Sequence, residues 1–250
     1  MGQFFDAETG GVLRLELRSV DGRAFTLLRT FGYRDDKHEE PFVVPADLST
    51  FRTDLASVPD LFTWLVPRSG DFLPAAVLHD ALVAPERYRG PRVERHEADR
   101  IFRRAMIGLG TGRVRAWLMW AAVTLGTLWW SRSLRWRGAL VALLGVVSVT
   151  GVLATLDFFD VLDVLPWMGQ RPWEQELALG ALFALLVPSA LSLLWGRYRV
   201  AGVIVGVSLA LLLHVTAVLL VLYAAYLALE RLVSGPADEE GVRVEDRLRA

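Results

Sequence analysis

Apolar and polar positions change their rhythm along this chain. From Val12, "VLRLELRS" alternates apolar with polar residues, the period of a strand with one buried face. Asp21-Gly22 then marks a hairpin turn, and "FTLLRTFGYR" continues as an extended run. "PFVVPADLSTFRTDLASVP" reads as a short strand followed by an ordered loop punctuated by Pro41, Pro45 and Pro59. Helical patterning takes over near 73–84, 95–108 and 113–130. Strands first and helices afterwards predict an α+β domain rather than a doubly wound one.

Beyond residue 137 the pattern becomes almost wholly apolar. Gly138–Leu156, Leu177–Trp195 and Val200–Leu229 are uncharged runs. A hydrocarbon core of about 30 Å needs ~20 helical residues, so the first two fit a span and the third must tilt or protrude. The predicted organisation is therefore a cytoplasmic α+β domain at 1–137, three transmembrane α-helices within 138–230, and a polar tail at 231–250. Ala116–Trp130 is flanked by Arg113, Arg115 and Arg132 and is short for a span. We read it as the last helix of the domain, with tryptophans suited to a membrane surface.

Charge placement orients the spans. Arg132, Arg135 and Arg137 precede the first, and Arg197 and Arg199 lie in the link between the second and third. The intervening loop is dominated by Asp157, Asp160, Asp163, Glu174 and Glu176. Arginines gather on the cytoplasmic side, so a multi-pass inner-membrane protein with a cytoplasmic N-terminal domain is expected. Arg231, Arg243, Arg247 and Arg249 run against the external C-terminus that three spans imply. Trp136 and Trp195 on one side, with Trp167 and Trp173 on the other, suit interfacial belts. Gly202, Gly206 and Ala210 form a small-residue stripe open to self-association. His214 reads as a neutral inter-helix hydrogen-bonding residue, and Pro188 as a kink.

Composition narrows the chemistry. The chain is 53% hydrophobic, too apolar for an ordinary soluble domain of 250 residues. A net charge of -1 gives no bulk attraction for nucleic acid. The absence of cysteine removes disulfides, thiolate metal sites and a cysteine nucleophile. No G-x-S-x-G elbow and no phosphate-binding glycine loop is present, and nothing points to an organic cofactor.

What remains is a His79-Asp80 pair on a helix of small and aliphatic residues, "LPAAVLHDALV". Thr53 to Pro59 ("TDLASVP"), Ala75-Ala76 with His79-Asp80, and Ala98-Asp99 with Phe102 together resemble domain-of-unknown-function family 1353, a phage- and bacteria-associated group, over roughly residues 10–130. More distantly, the His-Asp helix and the later Ala-Asp helix resemble the core of phospholipase A2. That resemblance implies His79 as the base, Asp80 as a calcium ligand and Asp99 as the orienting carboxylate. Asp54 is our own candidate for a further metal ligand, with Ser57 as a nearby hydrogen-bonding residue. The sequence departs from phospholipase A2 in lacking an upstream glycine-rich calcium loop, and Val83 stands where a tyrosine is usual. The expectation is a membrane-anchored, metal-assisted hydrolase-like protein, with lipid as its substrate. The alternative is a non-catalytic, phage-derived membrane protein whose domain serves interaction or structure. His38, in "DDKHEE", reads as a solvated loop residue and His96 as an exposed helix histidine.

Overall fold

The computed structural model describes residues 2–21, 24–55 and 70–234. Five short strands precede the helices: β1 (Gln3–Asp6), β2 (Leu17–Ser19), β3 (Phe25–Leu27), β4 (Phe31–Arg34) and β5 (Phe42–Val44). Helices α1 (Leu73–Leu82), α2 (Arg95–Gly108) and α3 (Arg113–Trp129) follow, so the N-terminal part is α+β as predicted. Then come α4 (Leu134–Phe158), α5 (Trp173–Leu191) and α6 (Arg199–Ser234).

The strands are shorter and differently paired than the alternation suggests. β4 is the centre of an antiparallel sheet in the order β1-β4-β5, and β2 pairs only with β3. β1, outside the predicted strand region, lies along β4 with Phe5 opposite Gly32. A side chain at Gly32 would collide with the Phe5 ring, so glycine there lets the ring lie flat on the central strand. The predicted 12–19 strand forms only at Leu17–Ser19, and the second run breaks between Leu27 and Phe31. Of the predicted turn, Asp21 receives the Ala24 N–H at 2.6 Å, while Gly22 lies outside the described residues.

The sheet and helices bury one apolar core. Phe31, Tyr33, Phe42 and Val44 meet Ala75, Val77, Leu78 and Ala81 of α1, and Ala98, Ile101 and Ala105 of α2. Alanines on α1 and α2 let the two helices approach closely. Asp35, inside the "DDKHEE" run, is buried rather than solvated. It accepts both Nε and Nη2 of Arg104 at 2.9 Å, and the His38 Nδ1 lies 2.8 Å away. Burial works to raise the Asp35 pKa, but the arginine fork and His38 outweigh it and hold the carboxyl below its ordinary range.

Compactness does not end at residue 137. Residues 1–211 form one unit and 212–250 a second. Within the first, α3 contributes Ala116 and Met119 to the domain core, and Trp120, Ala121 and Leu128 to a second cluster with Leu140, Leu143, Val147, Trp195 and Tyr198. Residues 212–234 of the second unit are helical, and the side chains of 212–233 are largely exposed, His214 among them.

Two helical stretches are long and apolar enough to cross a membrane, Leu134–Phe158 and the run Trp173–Val233. Only 17% and 6% of their most apolar segments are buried in the protein, far too little for core helices of a soluble domain, which suits membrane association. The predicted second and third spans thus belong to one helical run, interrupted at Ser192–Tyr198, where Gly196 turns the chain at φ +51°. Trp136 and Trp195 do share one end: the Trp195 indole donates to the Ala139 carbonyl at 3.1 Å, and Trp136 meets Tyr198 edge-on.

The small-residue stripe is occupied from within. A Cβ on Gly206 would stand 2.5 Å from the Pro188 Cβ and 3.3 Å from Leu143, and one on Gly202 would press on Ser192 and Trp195. Along Gly202 and Gly206 the chain's own helices make a close approach. Gly206→Val should therefore destabilise the protein by about 1–3 kcal/mol, the usual cost of overpacking. Gly145→Val, with open space around it, should leave thermal unfolding in detergent unchanged. Equal melting temperatures for the two variants would contradict this packing.

Candidate functional site

Helix α1 starts with Pro74 in its first turn, where the missing N–H costs nothing. Its small residues Ala75, Ala76 and Ala81 are buried, and His79 emerges among them with 8% of its surface exposed. On α2, Asp99 is buried next to Ala98 and three residues before Phe102. The structure brings these two predicted residues together: His79 Nε2 lies 2.8 Å from Asp99 Oδ1. The Phe102 ring covers the imidazole at 5.0 Å between centroids.

The second carboxylate oxygen has its own partner. The Thr127 hydroxyl, on α3, donates to Asp99 Oδ2 at 2.8 Å and accepts from Arg95 Nε at 3.1 Å. Neither Thr127 nor Arg95 was singled out from the sequence. A threonine inside an apolar helix, sharing a face with the buried Trp120, Ala121 and Thr124, is the signal that could have found it. Since a carboxylate only accepts, Nε2 is the nitrogen that donates in this contact. Among the described residues the His79 ring makes no further hydrogen bond through Nδ1.

Asp80, the neighbouring residue, faces a different environment. Its Oδ2 accepts the Thr53 hydroxyl at 2.5 Å. Thr53 is fixed by a two-way backbone bridge to Phe25, N–H to O at 2.8 and 3.0 Å. Arg87 reaches over the Phe51 ring and donates to the Asp80 backbone carbonyl at 3.2 Å. Burial pushes the Asp80 carboxyl up to about 6; the Thr53 hydrogen bond opposes the rise and the nearby Asp54 charge adds to it.

The four predicted residues thus form two adjacent groups, His79 with Asp99 and Asp80 with the Thr53–Asp54 loop. Ser57 and Pro59 lie outside the described residues. Among the described residues no group of three or more histidines or carboxylates is placed to hold a metal ion. Asp99, the expected orienting carboxylate, is committed to His79 and Thr127. His96, on the first turn of α2, is only half-exposed, with Nδ1 2.9 Å from Glu94.

An α+β domain with a buried His-Asp dyad, joined to exposed apolar helices, is the class of protein that fold and site define. Residues 25–123 match the model of a family described as protein of unknown function (DUF1353). The match supports the family resemblance of this segment. It takes in His79, Asp80 and Asp99 and stops short of Thr127 and the apolar helices. No curated protein and no solved structure matches the chain.

The Asp80 pKa has a consequence for stability. Its folded value, about 6, is raised from 3.8. The protonated carboxyl is the form the fold favours, so its contribution is fully present below the unfolded pKa and is lost as pH rises through about 6. Asp80→Asn keeps an acceptor for Thr53 and removes the charge. It should raise stability at pH 7.5 by up to about 3 kcal/mol and flatten the fall between pH 4 and pH 6. Thermal unfolding in detergent across that range reads both. A variant less stable than the wild type at pH 7.5 would show that the ionised carboxylate is well accommodated.

Proposed function

We propose that the His79–Asp99 dyad activates water for hydrolysis of an ester at the membrane surface, with lipid esters as the first substrate class to test. The observation that carries this reading is the division of labour on the imidazole. Nε2 is held by a buried carboxylate that is itself fixed by Thr127, and in the neutral form of the ring Nδ1 is the acceptor. A base so oriented takes a proton from water while the carboxylate stabilises the imidazolium that forms. The resulting hydroxide adds to the ester carbonyl carbon. Collapse of the tetrahedral adduct breaks the C–O bond, and the imidazolium returns its proton to the leaving alkoxide. Asp80 and Thr53, beside the dyad on the same helix and on the loop facing it, are the polar groups available to position the substrate.

Membrane attachment supports the choice of lipid, since it raises the effective concentration of the site at a bilayer. In this reading three helices span the inner membrane, α4, α5 and α6, with the domain cytoplasmic. A reporter fused after Arg137 should behave as cytoplasmic and one inserted in 169–171 as external. The reverse pattern would overturn the orientation and remove the inner leaflet as the place of action.

A purely structural role for the cluster is the competing reading, favoured by the chain of hydrogen bonds that ties three helices together. Hydrolysis assays on mixed vesicles, with ester, peptide and phosphoester panels alongside, separate the two. His79→Asn should abolish hydrolysis, and Asp99→Asn should lower kcat on the order of 10⁴-fold by imposing the wrong tautomer, each with only a modest fall in melting temperature. Large, equal destabilisation by both substitutions, with no turnover by the wild type on any panel, would decide for the structural role.

A further inference from the structure

A second polar feature lies on the far side of Asp99 from His79. A cleft of about 280 Å³ opens where the start of α2, the end of α3, the start of α4 and the turn before α6 meet. Its walls carry Arg95, His96, Arg197, Tyr198, Trp130 and Trp136. One carboxylate, Glu94, also lines it, 2.9 Å from His96 Nδ1.

The two arginines retain most of their donors. Arg95 gives Nε to the Thr127 hydroxyl, and Arg197 gives Nη2 to the Tyr198 hydroxyl at 3.0 Å. Among the described residues neither is paired with a carboxylate. Two guanidinium forks facing one space, with their remaining N–H groups uncommitted, fit the tetrahedral oxygens of a phosphate. The place in the fold identifies which phosphate. Trp130 and Trp136 flank the cleft at the arginine-rich end of the apolar helices, the depth at which tryptophan rings and basic side chains meet lipid headgroups.

We propose that this cleft binds the phosphate of an anionic phospholipid headgroup, with Arg95 and Arg197 as its two clamps. The proposal rests on the membrane reading and is independent of hydrolysis. The bound phosphate stands behind the dyad: Arg95 holds Thr127, Thr127 holds Asp99, and Asp99 holds His79. The cleft is therefore a docking site for the surrounding bilayer, which seats the domain against it.

The test uses the full chain purified in a zwitterionic detergent, titrated with dioctanoyl phosphatidylglycerol, dioctanoyl phosphatidylcholine or inorganic phosphate and read by native mass spectrometry. The phosphatidylglycerol should bind about tenfold or more tighter than the phosphatidylcholine, and inorganic phosphate should not displace it at matched concentration. Arg95→Gln and Arg197→Gln should each weaken the anionic lipid about fivefold, the worth of one basic residue near an anionic surface. Arg113→Gln, at the opposite end of α3, should leave it unchanged. Arg197 does not touch the Asp99 chain, so its variant keeps the test meaningful even where Arg95→Gln unfolds. Equal affinity for the two lipids, or an equal loss in Arg113→Gln, would overturn the proposal. Displacement by inorganic phosphate would assign the cleft to a free anion and overturn the lipid. Release of the expressed protein by alkaline carbonate washing would sink the membrane reading itself. Retention without lipid preference would sink only the cleft.

Discussion

One buried carboxylate sets the arrangement of three helices. Asp99 belongs to α2, and its two oxygens are taken by His79 of α1 and Thr127 of α3. The apolar contacts around it are made largely by alanines, Ala75, Ala76, Ala98, Ala105 and Ala116. Such faces pack closely, but they slide and rotate at little cost, because burial of apolar area has no direction. Hydrogen bonds to a single carboxylate do have direction, and two of them from two helices fix register as well as distance. The same geometry is unforgiving: removing either donor leaves a buried lone pair unsatisfied, at about 1–3 kcal/mol. A group this constrained is stiff, and stiffness is what a general base needs from its orienting partner.

Two consecutive residues of α1 illustrate how differently one helix can treat polar side chains. His79 turns into a largely buried setting, with Asp99 on Nε2 and the Phe102 ring across the imidazole. Asp80, about 100° further round the helix, meets a loop hydroxyl and a neighbouring negative charge, and its pKa climbs to about 6. A carboxyl that the fold prefers uncharged is an odd choice for a position whose only task is stability, since asparagine would serve Thr53 as well. Carboxyls held against their preference gather at sites of chemistry, although structural networks produce them too. The contrast between the two residues is what makes the Asp80 side, rather than the Thr127 side, the face on which substrate would be handled.

The helices were legible in the sequence because their apolar period is long and their boundaries carry signals, Pro74 at the start of α1 being one. The His79–Asp99 pairing was legible through motif resemblance, since two Ala-flanked polar residues on successive helices have few other places to go. What escaped detection depends on partners remote in sequence. β1 has no alternation, with Phe4 and Phe5 adjacent, and is a strand only because β4 is there to pair with it. Asp35 sits in a run of charges that reads as solvated, and its burial requires Arg104, 69 residues later. Thr127 looks like one tolerated hydroxyl in an apolar helix until Asp99 is placed opposite. The glycine stripe read correctly as a surface of close approach, but sequence does not say whose helix comes close.

The boundary near residue 137 is a change in composition and not a break between two folded bodies. Helix α3 gives one end to the α+β core and the other to the cluster around Leu140, Trp195 and Tyr198. Thr127, one residue before Leu128, sits at that second end, so the side chain that completes the dyad is held by packing contributed from beyond the boundary. Cutting the chain at 137 would strip cover from Trp120, Ala121 and Leu128 together and loosen the turn of helix from which Thr127 reaches Asp99. The apolar helices are then more than a tether. They supply part of the surface against which the dyad is set.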